Sequence, residues 1–366
     1  MTQETSPPVA GSRIGRVLSR SRRRAVLWII ALVAALCAAL VLAVGVGSVS
    51  IGPVRVLGVL VEHLTGAEIG PGASATQDAI VWQVRAPRVV LAAFVGAGLA
   101  VCGMALQAMV RNMLADPQLL GISSGASCGA AASILFGFTL GGGEHALQAM
   151  AFLGALGASV LVYATARSGG RLTSVRLLLA GVAVGYALNA LTSFLIFASG
   201  SAEGTRSVMF WLLGSLSLAS WGTPLAAVVV IASVTVVVLS LQGRRLDALA
   251  LGDDTAHSLG VSPERTRALL LVLVSLCIGV LVAASGSIGF VGLIMPHLAR
   301  RLVGAAHTAA IPVAALLGAL LLILADLAAR TMLQPQELPI GIITAMLGAP
   351  FLLLLIRRMR AGSASG

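Results

Sequence analysis

An all-α protein threaded many times through a lipid bilayer is the fold class this sequence predicts. Three observations carry that expectation. Of 366 residues, 58% are hydrophobic and only 10% charged, where a soluble domain carries about 25% charge. Apolar runs of about 20 residues, enough for a helix to cross roughly 30 Å of hydrocarbon, recur along the chain. They are continuous rather than alternating, which argues for helices and against a membrane β-barrel. The charges that remain cluster at the ends of those runs.

A formal net charge of +11 would suit a nucleic-acid partner, but arginines confined to segment ends argue against one. All 24 basic residues are Arg, and Lys is absent. A P-loop needs its Lys, so the chain cannot supply that ATPase motif; Schiff-base chemistry on lysine is excluded too. Cys37, Cys102, Cys128 and Cys277 lie singly in apolar runs, and the five His are scattered. Neither disulfides nor a metal site is expected. No HExxH occurs, and His297, following Pro296, reads as a structural or interfacial histidine.

In chain order, residues 1–25 form a polar tail ending in Ser21-Arg22-Arg23-Arg24. The run 26–47 is long enough to span and lacks a convincing cleavage site, so it reads as a retained first helix. A loop to about Val84 follows, with a short surface helix at Val54–Leu64 and a Gly/Pro-rich turn at 66–74. Span 2, at 88–109, opens after the rigid Arg85-Ala86-Pro87-Arg88. The connection 111–118 leads to span 3 (119–137); span 4 is 147–166, the basic loop 167–176 follows, and span 5 is 177–198. Residues 199–220 are too polar to be wholly embedded but hold a short apolar stretch, Val208–Leu213. Span 6 is 221–241. After a polar island at 242–267 come span 7 (268–285), a break at Ser285-Gly286-Ser287, and a short span 8 (289–303) containing Pro296. Span 9 (309–328), a turn at 334–339 and span 10 (340–356) complete the membrane domain, 26–357, before the tail 358–366. Glycines four apart, at Gly121, Gly125 and Gly129 and at Gly181 and Gly185, suit close helix packing.

Ten spans put both termini on one side, and the charges agree. Nineteen of the 24 arginines fall on the side that holds the tails and the loops at 110–118, 167–176, 242–267 and 301–308; Arg55, Arg85, Arg88, Arg206 and Arg330 fall on the other. The positive-inside rule makes the first side cytosolic. The island Gln242–Arg267 is then a cytosolic amphipathic helix between two spans, either a surface loop or a contact. Asp326 is the one acidic residue deep in a span. An acid there is costly unless paired, and Arg330, four residues on, shares its helix face. A structural pair Asp326–Arg330 is expected, and an ion-coupled secondary transporter is the alternative of a different class that Asp326 keeps open.

From residue 85 onward the motifs accumulate: RAPR at 85–88, RNMLADP at 111–117, LGISSGA at 120–126, WLLGSL at 211–216, LGDDTAHSLG at 251–260, GSIGFVGLIMPH at 286–297, DLAAR at 326–330, ELPIG at 337–341 and GAPF at 348–351. Together they resemble the iron-siderophore/haem/cobalamin permease family, the membrane subunits of binding-protein-dependent ABC importers. Met113, where that family usually has Pro, is the one departure. The resemblance implies a type II importer permease fold, with five-helix groups related by approximate inversion. It implies a second copy of the permease (or a close relative) with the pathway between the two. Two cytosolic ATPase subunits carrying ATP and Mg are implied below, and a periplasmic or lipid-anchored substrate-binding protein above. The chain itself would need no cofactor and would not be an enzyme. It would lie in the bacterial inner membrane.

Residue by residue, the resemblance makes 247–260 the ATPase-coupling segment. Leu249, Ala256 and Leu259 would supply apolar contact, Asp253, Asp254 and His257 a polar rim, and Gly252 and Gly260 the bends. Arg55, Arg206 and Arg330 are candidates for docking the binding protein. Asn189, Phe194 and Phe197 in span 5 are pathway candidates. The implied cargo is a ferric siderophore, with haem and cobalamin as alternatives.

Overall fold

The structure, a computed structural model, describes residues 11–47, 49–66, 74–138, 145–167 and 172–363, and among them every regular element is a helix. Most of the 66–74 turn and part of the 167–176 loop lie outside the described residues. The helices are α1 (Gly11–Gly45), α2 (Pro53–Thr65), α3 (Ala75–Ala79), α4 (Ala86–Val110), α5 (Ile122–Phe136), α6 (Ala146–Arg167), α7 (Ser174–Ser199) and α8 (Ala202–Leu212). They continue with α9 (Thr223–Leu241), α10 (Gly243–Leu251), α11 (Asp253–Ser258), α12 (Pro263–Ser285), α13 (Val291–Val303), α14 (His307–Thr331) and α15 (Ile340–Ser363).

Among the described residues, seven helices are long and apolar enough to cross a membrane, rather than the expected ten. The seven are α1, α4 with its extension from Ala75, α6, α7, α9, α12 and α14. Spans 3, 8 and 10 fold as α5, α13 and α15, but α5 has 15 residues and α13 has 13. At 1.5 Å per residue each covers only about 20 Å. The reason is tertiary. The connection after α4 runs back into the bundle, so that Gly121 packs against Gly181 and Gly185, roughly 10–16 Å along α7 from its start. α13 begins inside the bundle as well, with Gly292 against Pro117. The two irregular segments meet where Gln118 Nε2 donates to Ser287 Oγ at 3.3 Å. Phe290, at the head of α13, takes a positive φ of 68°, and its ring presses on Gly348 of α15, where a Cβ would collide.

α4 is the centre of the bundle, buried along most of its length against α9, α12, α13 and α14. Close backbone approach sets this packing. A Cβ at Gly96 would strike the Gly318 carbonyl of α14, and one at Gly103 the Gly292 carbonyl of α13. Small residues at crossing points are how helices gain contact where lipid gives no hydrophobic drive. The same device joins α5 to α6 through Gly125 and Gly154.

Prolines inside helices leave carbonyls without donors, and in a membrane each orphan costs several kcal/mol. The RAPR segment does not precede a helix start; the helix runs through it from Ala75, with a π-helical stretch at Ile80–Arg85. There the Ala86 N–H reaches back five residues to Val81 O. The next donor in that register would be Pro87, which has no N–H, and the Trp221 indole Nε1 donates to the orphan Trp82 O instead, at 2.6 Å. Pro296 does not end α13 either. The Gly292 carbonyl it leaves open accepts from Gln107 Nε2 of α4 at 3.3 Å, and Arg300 reaches the other end of that amide.

Residues 1–10 and 364–366 of the expected tails lie outside the described residues; the described part of each tail is helical, in α1 from Gly11 and in α15 to Ser363. Arginine and leucine are good helix formers, and a stable helix propagates into them readily.

Candidate functional site

The island 242–267 folds as two short helices and the start of a third. Gly252 separates α10 from α11 at φ 121° and ψ 162°, a conformation that a side chain resists. A Cβ there would also approach Arg111 Nη1 to 3.2 Å. Gly260, at φ 77°, turns the chain again before Pro263 opens α12.

Each short helix has its own anchor. On α10, Asp247 Oδ1 accepts from the His307 backbone N–H at 3.0 Å and lies 2.6 Å from His307 Nδ1. It thereby caps α14, whose own N-cap residue, Ala306, offers no side-chain acceptor. On α11, Asp253 accepts from Arg267 with both oxygens, Nη2 to Oδ1 at 2.6 Å and Nη1 to Oδ2 at 2.9 Å. Arg267 is 1% exposed and also donates to Met109 O at the end of α4 (3.2 Å), Leu172 O before α7 (3.4 Å) and Ser174 Oγ at its first residue (2.9 Å). The Arg267 guanidinium beside Asp253 holds its carboxyl below the ordinary value against a smaller penalty from burial. For Asp247, burial pushes upward, but the ring and backbone donors of His307 together hold it below the ordinary value.

These anchors redraw the expected contact surface. Leu249 and Ala256 are fully buried in this chain's own core, so they are not available to a partner. Asp253 turns inward to Arg267 instead of forming a rim, and Gly252 is buried. Asp254, His257, Leu259 (62% exposed) and Gly260 do face outward. Leu251, 69% exposed, joins them. Leu251 falls outside the spacing that picks out Leu246 and Leu249: two residues on, about 200° round α10, it lies on the face opposite those two buried leucines.

At the other end of the bundle, Asp326 and Arg330 approach to 3.0 Å, at an angle too poor for a hydrogen bond. The better partner of Asp326 is Arg88 of α4, whose Nε donates to Oδ1 at 2.9 Å. Arg88 Nη1 in turn holds the Glu337 carboxylate at 2.8 and 3.1 Å. Arg330 donates to Ala43 O (3.0 Å) and Val46 O (3.4 Å), and Arg85 to Val44 O, Gly45 O and Val49 O (2.8, 3.1 and 2.6 Å). Two arginines thus satisfy the carbonyls at the C-terminal end of α1, where the helix dipole also favours cations. Arg330 is therefore buried and committed, and presents no docking charge; Arg55 and Arg206 are exposed.

On α7, Asn189, Phe194 (62%) and Phe197 (87%) are exposed, in line with an outward apolar stripe that includes Leu179 and Tyr186. A cavity of about 850 Å³ opens among α5, α6, α8, α9 and α12, lined in part by Gln148, Ser207, Trp211, Ser217 and Glu337, without a contribution from α7. Among the described residues, no group of three or more His, Cys, Asp or Glu is placed to hold a metal ion.

Comparison with known proteins agrees with this geometry. The cobalamin import system permease BtuC of Halobacterium salinarum is 44% identical over 286 residues, 78% of this chain and 75% of that one. The hemin transport system permease HmuU of Yersinia pestis is 43% identical over 293 residues, 78% of this chain and 86% of that one. A solved structure described as an inward-facing conformation of a metal-chelate type ABC transporter superposes with a TM-score of 0.78 at 33% identity, covering 90% of this chain and 98% of that one. The FecCD transport family matches residues 21–358. With an all-helical bundle, no P-loop lysine and a match across nearly its whole length, the chain belongs to the FecCD transport family of ABC-importer permeases.

Proposed function

We propose that this chain is the permease subunit of a binding-protein-dependent importer that carries a metal chelate across the bacterial cytoplasmic membrane. ATP is hydrolysed on a partner. The observation that carries the reading is the exposed face of α10 and α11, where Leu251 and Leu259 stand clear of a segment otherwise tied into the bundle. Apolar side chains that stay exposed on a rigidly anchored polar segment suit a protein partner. Asp254 and His257 form the polar rim beside them, and Gly260 permits close approach.

The proposed assembly, which family membership supports, has two permease copies, two ATPase subunits on the arginine-rich side, taken as cytosolic together with both termini, and a soluble or lipid-anchored binding protein opposite. In the bilayer, α5, α13 and α15 complete ten crossings with help from the irregular segments that precede them. Arg55 and Arg206 steer the binding protein, as rim charges do. Asn189, Phe194 and Phe197 face the pathway between copies. The cargo is a ferric siderophore, the commonest class in the family. Haem or cobalamin is the second reading, favoured by the relatives named for hemin and cobalamin import.

Replacing Leu251 and Leu259 together by Asp is expected to abolish co-purification of the ATPase subunit while the permease stays folded; an intact complex would sink the contact assignment. Uptake into proteoliposomes with the cognate binding protein, compared for a radiolabelled ferric siderophore, hemin and cobalamin, assigns the cargo. Uptake that follows a proton gradient without ATP would instead place the chain among secondary transporters.

A further inference from the structure

We infer that Arg267 is the positioning residue that transmits movement of α11 into α7, which joins the proposed ATPase contact to the proposed pathway helix in one stiff link. The inference rests on the coupling reading above and goes beyond it by naming the joint and its path.

A guanidinium has five N–H donors in a fixed planar fork. In Arg267 all five are used. Nε donates to Met109 O, Nη1 to Leu172 O and Asp253 Oδ2, and Nη2 to Ser174 Oγ and Asp253 Oδ1. Ser174 Oγ passes the connection on, donating to Met109 O at 2.9 Å. One buried side chain therefore holds the first residue of α11, the last turn of α4 and the entry to α7. A lysine, with three donors on one nitrogen and no fork, could not reproduce this set.

Stiffness follows from charge. The Arg267 side chain is 1% exposed, and among the described residues Asp253 is the carboxylate paired with it. If α11 moved away alone, it would leave a buried guanidinium without its counter-ion, which is strongly unfavourable. Displacing α11 is easier when Arg267 and its acceptors move too. α10 lacks this tie. It is fastened instead to α14 through Asp247 and His307, and the corner at Gly252 lets the two helices answer to different parts of the bundle. Hydrogen-bonded ion pairs of this kind are among the contacts that carry coupling between sites, and the test of a path is whether both ends respond together.

The test is hydrogen exchange, read by mass spectrometry, on the complex of the full chain with its co-purified ATPase subunit, with and without ATP and vanadate. In the unsubstituted complex, nucleotide should change exchange in both α11 and the first turns of α7. In Arg267→Lys and Asp253→Asn, α11 should still respond, while the α7 response, taken relative to each variant's own exchange without nucleotide, falls by at least about twofold. Ser174→Ala removes one acceptor and leaves the ion pair intact, so it keeps the test available should the charged variants fail to fold; a smaller loss in the same direction is expected. An undiminished α7 response in these variants would overturn the inference, as would altered α7 exchange without nucleotide combined with a normal response. If α11 does not respond even in the unsubstituted complex, the coupling reading itself fails, which is a separate result.

Discussion

The bundle carries an arginine-centred cluster at each end, and the two are built on opposite plans. Around Asp326 the charges close on themselves. Arg88 and Arg330 share the Asp326 carboxylate, Arg88 also holds Glu337, and backbone carbonyls of α1 accept from Arg330. Around Arg267 a single guanidinium meets a single carboxylate, and that carboxylate sits on a two-turn helix with a third of its side chain exposed. The first arrangement ties three long helices, α1, α4 and α14, and keeps Arg88, Arg330 and Asp326 buried. The second leaves its acid on an element whose other side faces outward. Deep charge is tolerated where it is internally compensated; at the rim, one half of a pair can belong to a part that other molecules reach.

The largest effect that could break this contrast is at Asp326. Asp326→Asn would leave Arg88 and Arg330 short of their common counter-ion, and a loss of about 3–5 kcal/mol is expected, seen as a sharply lower unfolding temperature in detergent. Next comes the uncharged tie between α4 and α13. Gln107→Leu would strand the Gly292 carbonyl and the Arg300 contact, at about 1–3 kcal/mol, again by thermal unfolding. Glu337→Gln should cost less than about 1 kcal/mol, because that carboxylate is 47% exposed and Arg88 keeps Asp326. A cost for Glu337→Gln equal to that for Asp326→Asn would mean that the outer cluster is not internally balanced as described.

The smallest effect is one of pH, and it sharpens the other side of the contrast. Asp253 and Asp247 are both held below the ordinary carboxylate value. Their stabilisation is fully present above the unfolded carboxylate value of about 4 and is lost as pH falls through the lower folded values. Mobility of a spin label at Thr255→Cys should therefore rise only below about pH 4. Adding Asp253→Asn should give that higher mobility already at neutral pH; no difference between the two at pH 7 would show that Asp253 does not hold α11.

Much of the fold was legible because it depends on local composition. Apolar runs marked the long helices, and the short surface helices α2 and α8 came out near their expected places. The shortness of α13 was announced by the break at Ser285-Gly286-Ser287, but that of α5 was not legible, because nothing local stops its run; close glycine contacts draw the preceding chain into the bundle. The coupling stretch was found by its polarity, but its inner and outer faces were not. Leu249 and Ala256 look like contact residues in a list of apolar positions, and only their burial in the folded chain shows that they point inward. Arg88 gave no sign of joining Asp326 to Glu337, since it lies 238 residues before the first and 249 before the second. Arg267 looked like one more loop arginine.

By itself, then, the sequence determined that this is a helical membrane protein without a P-loop ATPase motif of its own, and which stretch between its spans is polar enough to meet a partner. Hydrophobicity, the absence of Lys and arginine placement are properties of the chain that no packing can alter. Which side chains of that stretch are free, which arginines are consumed inside the bundle, and how α11 is tied to α7 were decided by the tertiary structure alone. A guanidinium takes its partners from whatever backbone and carboxylate oxygens the fold brings within 3 Å or so, and in this bundle those lie on helices far apart in sequence.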